Sequence, residues 1–116
     1  MAEERRFKIT DFADIPAVPC PCGMSRRAFA ESSGGGISFH IVEISTDARM
    51  HYHKNHIEIY YILEGSGFLE VDGEKTAVKP GMSLLIKEYC RHRSVGKLKI
   101  VNVSLPAFDP EDEWFD

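Results

Sequence analysis

The sequence predicts an all-β sandwich or barrel, and three observations carry that prediction. From Arg27 onward, short runs rich in β-branched and aromatic residues recur at about 8–12 residue spacing, each closed by a turn signal. Asp72-Gly73 stands between two such runs, and this pair favours a two-residue type I′ hairpin. No stretch carries the pattern of a long helix, and three of the six prolines fall in FADIPAVPCPCG, where they favour extended chain or loop.

The elements follow in order. Residues 1–26 read as an extended N-terminal arm. RRAFA is a strand, SSGGG a turn, ISFHIVEI a strand of eight residues and STDAR a turn. MHYH is a short extended run, broken at Lys54-Asn55 before the strand IEIYYIL. EGSG (64–67) reads as a turn between strands, its glycines accepting positive φ. FLEVDGEKTAV is the hairpin, KPG a turn, MSLLI a strand, KEYCRHRS a loop and LKIVNVSL the last strand. The total is about eight or nine short strands, in a barrel spanning residues 27–105. Residues 106–116 form an acidic tail, with five carboxylates in DPEDEWFD, and Phe108, Trp114 and Phe115 give it apolar anchors for docking.

At 116 residues the chain suits one domain with a core that needs no disulfide or structural metal. A net charge of −4 and the lack of a basic stripe argue against nucleic acid as a partner. No apolar run approaches the ~20 residues that cross a bilayer, and MAEERRFKIT lacks the apolar segment of a signal peptide, so no membrane partner and a cytoplasmic location are expected. The cysteine count of three is odd and does not suggest a secreted disulfide framework.

Three of the five histidines, His51, His53 and His56, lie within six residues of one another. Side chains two apart in an extended run share a face, so His51 and His53 point one way and Tyr52 the other. Imidazoles so placed can each give a ring nitrogen to one ion at about 2.0–2.2 Å. Glu58, Tyr60 and Ile62 share a face of the next strand, and the Lys54-Asn55 turn can bring that face back over the histidine pair. Two histidines and one carboxylate suit a metal with open coordination positions. His92, after a later strand and turn, is a candidate fourth ligand.

His51-x-His53-x4-Glu58-x6-Gly65 resembles the first motif of the cupin superfamily. Pro80-Gly81, the strand MSLLI and then His92 resemble its looser second motif, although Gly73, Pro80 and Gly81 are spaced somewhat differently from the family pattern. The resemblance spans roughly residues 37–105. It implies a double-stranded β-helix (a jelly-roll barrel) and the metal ligands His51, His53, Glu58 and His92, with His56 left out. It also implies one divalent transition metal per chain: Fe, Mn, Ni, Co, Cu or Zn.

Tyr60, on the face of Glu58, is a candidate to line a substrate cavity or to be ordinary core. His40, in ISFHIVEI, divides between the same two roles. Arg26-Arg27 can grip a carboxylate or phosphate, or pair with the acidic tail, and Arg27 is the candidate for the cavity. Cys20-Pro-Cys22 is a weak metal or redox signal, with no further cysteine pair to complete a zinc site. Cys90 shares strand parity with His92.

By resemblance, a small molecule is the partner and a dioxygenase-type reaction is the leading expectation, with Glu58 shuttling a proton. An isomerase or epimerase of a sugar phosphate or keto compound, and a binding module without turnover, are the alternatives. A homodimer is expected, with Ile59, Tyr61 and Leu63 on the face that packs a second sheet or a partner subunit.

Overall fold

The computed structural model describes residues 6–20, 23–45 and 48–116. Among these, one short 3-10 turn (Phe12–Asp14) precedes seven strands: β1 (Val18–Cys20), β2 (Gly23–Ala28), β3 (Ser38–Ile44), β4 (Ile57–Val71), β5 (Glu74–Val78), β6 (Ser83–Ile86) and β7 (His92–Leu105). All pairings are antiparallel, in the order β1-β2-β3-β7-β4-β5, with β6 on the free side of β4. The sheet therefore starts before residue 27, because β1 and β2 already pair with each other and then with β3. No helix among the described residues is long and apolar enough to cross a membrane.

Two expectations are corrected. EGSG is not a turn: β4 runs through it without a break and pairs with β7 from Ile57↔Leu105 to Val71↔His92. The loop KEYCRHRS ends early, because His92 already opens β7. Each long strand thus does the work of two. The first part of β4 pairs with β6, its last part with β5, and a bulge between Ile62 and Glu64 separates them. One inserted residue changes which parity faces inward. Buried positions on β4 accordingly switch from Glu58, Tyr60 and Ile62 to Leu69.

Gly67 makes the close approach of the two strands possible, since a Cβ there would lie 2.2 Å from the Val95 carbonyl oxygen. The hairpin is as expected: Asp72 (φ 46°) and Gly73 (φ 84°) both take the left-handed conformation of a type I′ turn. MHYH, in contrast, forms only isolated bridges, His51 with His92 and Tyr52 with Trp114.

Register stacks the interior into layers. Ser38 and Glu58 both oppose Ser104, and His40 and Tyr60 both oppose Asn102. Next, Val42 and Ile62 oppose Ile100, and beyond them Ile44 opposes Leu98. The apolar layers join Leu69, Val78 and Ile86 in one core cluster. Burial there supplies the main stabilisation, and it leaves the polar layers to form a cavity. Ile59, Tyr61 and Leu63 point outward and are partly exposed, as the alternation predicts.

Candidate metal centre

The polar layers meet the 48–56 loop and the C-terminal segment at a cavity of about 90 Å³, which His51, His53, Glu58 and Tyr60 help to line. That is room for several waters or one small molecule, not a polymer. His40 and Arg27, adjacent across the β2–β3 ladder, line it as well.

The histidines are held by the backbone. His51 Nδ1 lies 2.8 Å from the Arg49 carbonyl, His53 Nδ1 2.6 Å from that of Asp112, and His92 Nδ1 2.9 Å from that of Cys90. A carbonyl only accepts, so each Nδ1 carries the proton and donates it. Each Nε2 is left with a lone pair, the tautomer a metal requires. The ligand atoms of His51, His53 and His92 lie within 4.8 Å of one another. The expected parity holds, since Tyr52 faces away and stacks on Tyr89.

Glu58, only 2% exposed, sits against this trio. Its Oε2 accepts from Asn102 Nδ2 at 2.7 Å. Its Oε1 lies 2.9 Å from His53 Nε2 and 3.2 Å from His92 Nε2. Neither approach has hydrogen-bond alignment, so all three buried atoms lack a hydrogen-bond partner. Uncompensated buried donors and acceptors are costly, and a cation at their common focus would satisfy all of them. The residues present therefore fit a divalent metal. Glu58 touches two of the three histidines rather than joining the mutual group.

Burial and the Glu58 charge oppose each other across the site. Burial works against charge on Glu58, but His53 and His92 outweigh it and hold its pKa well below the usual carboxylate range. Burial, reinforced by His92, pushes His51 down to about 4. Burial also opposes charge on His53, yet Glu58 prevails and its pKa rises. His40, pushed down to about 4 by burial and by Arg27, bonds through Nε2 to Ser38 Oγ at 2.7 Å.

Two buried residues of the site escaped sequence reasoning: Asn102, which holds Glu58, and Asp112. Asp112, in the acidic tail, is 5% exposed. Its Oδ1 accepts from the backbone N–H of Lys54 and from the Trp114 indole, both at 3.0 Å. Its Oδ2 accepts from the Asn55 N–H and His56 Nδ1, both at 2.9 Å. These donors outweigh burial and bring its pKa to about 2. Asp112 thus ties the 54–56 turn to the tail, while its own carbonyl orients His53. His56 lies behind His53, ring centroids 4.0 Å apart, outside the converging trio. With His53 and Asp112 it forms a second potential ligand group.

Arg26 and Arg27 diverge. Arg26 donates to the carbonyls of Phe12 (3.1 Å) and Ile15 (2.5 Å), anchoring the N-terminal segment, whereas Arg27, itself exposed, lines the mouth of the cavity. Cys90 packs against the core and reaches the site only through its carbonyl. Cys20 lines the cavity, and Cys22 lies outside the described residues.

The cupin-domain family model matches residues 38–97, the span that holds all four expected ligands. The chain belongs to the cupin family. It is 38% identical over 90 residues to an L-ectoine synthase of Bordetella petrii, covering 75% of this cupin and 67% of that protein. An uncharacterized protein of Methanocaldococcus jannaschii is 38% identical over 76 residues, and the chain spans 61% of its length. A solved protein of Planctomyces limnophilus superposes with a TM-score of 0.86 at 38% identity, covering 93% of this cupin and 96% of that chain. An ectoine synthase from P. lautus superposes with a TM-score of 0.78 at 23% identity over 93% and 88% of the two chains, which shows the shared fold. The all-β barrel expected from the sequence is therefore the fold of this cupin.

Proposed function

We propose that this cupin is a metal-dependent enzyme that transforms a small polar molecule without consuming dioxygen, by elimination, dehydration or ring closure. The observation that carries it is Glu58 Oε1, buried and unsatisfied beside two imidazole nitrogens that are equally unsatisfied. His51, His53 and His92 would hold the metal, with Glu58 beside them. When bound, the ion would supply Lewis acidity toward a carbonyl or a leaving oxygen. Glu58, steadied by Asn102, either completes the ligand set or holds a substrate proton at Oε1. His40, Tyr60 and Val42 give the cavity walls that orient a small molecule and exclude bulk water.

The non-oxidative class rests on the name of the 38%-identical relative, L-ectoine synthase, and the oxidative expectation finds no such support. The test is turnover of a panel of small amino, keto and hydroxy acids by protein loaded with Fe(II), Mn(II), Zn(II) or Co(II). Anaerobic product formation supports the proposal. Turnover that starts only with oxygen and consumes it would move the assignment to the dioxygenase. Assembly as a homodimer belongs to the same proposal, because Ile59, Tyr61, Leu63 and Leu85 leave an apolar outer face. A monomer by light scattering would remove that part.

A further inference from the structure

We propose that the mouth of the cavity is a carboxylate-binding subsite formed by Arg27 and Arg49 on an aromatic platform lent by the C-terminal segment. The subsite rests on the small-molecule reading above and narrows the substrate to a carboxylic acid.

The arginines of the barrel fall into two sets. Arg26 donates to backbone carbonyls, Arg91 pairs with Asp116, and Arg93 with Glu70. Arg27 and Arg49 line the cavity and have no ion pair with a carboxylate among the described residues. Instead, the Arg27 guanidinium lies 5.0 Å from the Phe108 ring centroid, and that of Arg49 lies 4.1 Å from the Phe115 ring centroid. Stacking occupies the face of a guanidinium and leaves its in-plane N–H groups free. Among the described residues Arg27 gives a hydrogen bond only through Nε, to Ser25 Oγ at 3.3 Å, so its two terminal amino groups remain as a fork. Such a fork matches the two oxygens of a carboxylate. The chain carries a net charge of −4, so two cations that face one cavity and have no ion pair among the described residues run against the general balance. The carboxylate at the same mouth, Glu113, lies 3.7 Å from His51 Nε2 and forms no ion pair with either arginine. The cavity beyond, about 90 Å³, admits a short acid whose other end meets His51 and His53 of the trio.

The test is calorimetric titration of Zn(II)-loaded protein with succinate, succinamide and inorganic phosphate, in wild type and in Arg27→Gln, Arg49→Gln and Arg27→Lys. Succinate should bind wild type and weaken about tenfold in each glutamine variant, as expected for losing a charge-assisted hydrogen bond. Arg27→Lys should fall between, keeping the charge without the fork. Zinc content and melting temperature should stay at wild-type values. No succinate binding, equal binding in all four proteins (capture by the metal alone), succinamide bound as tightly as succinate, or phosphate bound more tightly than succinate would each overturn the subsite. Binding is read without turnover, so an inert but succinate-binding protein would count against the enzymatic reading and leave the subsite standing.

Discussion

Asn102 does for Glu58 what three backbone carbonyls do for the histidines: it fixes one end of a buried polar group so that the other end faces the focus. Replacing it with Ala leaves Glu58 Oε2 without its 2.7 Å donor, in a site that is almost fully buried. A buried charged acceptor left unpaired costs about 1–3 kcal/mol or more, so Asn102→Ala should lower the urea unfolding free energy of metal-free protein by that amount. An unchanged midpoint would mean that water replaces the amide. His51 is the most accessible of the trio, and His51→Ala should remove the bound metal equivalent after gel filtration in a mild chelator. Full occupancy in that variant would strike it from the ligand set. At this scale the sequence was legible: the parity of His51 and His53 and the shared face of Glu58, Tyr60 and Ile62 follow from strand geometry alone.

Strands were legible where side chains alternate and misleading where the backbone must bend. EGSG has the composition of a turn, yet it lies inside β4. Two strands must pass within reach of each other's carbonyls there, which only residues without a Cβ allow. Glycine signals both situations, and a local pattern does not separate them. The distinction is testable by substitution. Gly67→Ala would place a Cβ 2.2 Å from a backbone oxygen on β7, and neither strand can shift without breaking ladder bonds. It should destabilise by more than about 2 kcal/mol. Gly73→Asn, at a hairpin position with open space and a φ that Asn tolerates, should cost about 1 kcal/mol or less. Equal effects in thermal unfolding would show that the approach of β4 and β7 is not what holds the bend.

At the scale of the molecule, the tail is part of the site. Asp112 and His53 are 59 residues apart along the chain, and no periodicity or spacing rule connects them, so the sequence showed anchors without a dock. The structure supplies the dock: Trp114 bridges Tyr52, Phe115 and Glu113 line the cavity, and the Asp112 carboxylate gathers the 54–56 turn. The barrel itself closes without this segment, since β7 ends at Leu105 and the apolar core draws no residue from beyond it. Core stability and site geometry should therefore separate. Asp112→Ala strands five donors around the 54–56 turn and loosens the strap whose carbonyl orients His53. Loss of such an outer support weakens metal binding about 10–100-fold. Competition against a fluorescent zinc chelator should show that drop while the strand signal in circular dichroism holds. If affinity stays at the wild-type value, the histidines are oriented by the β7 bridge alone, and the tail merely covers them.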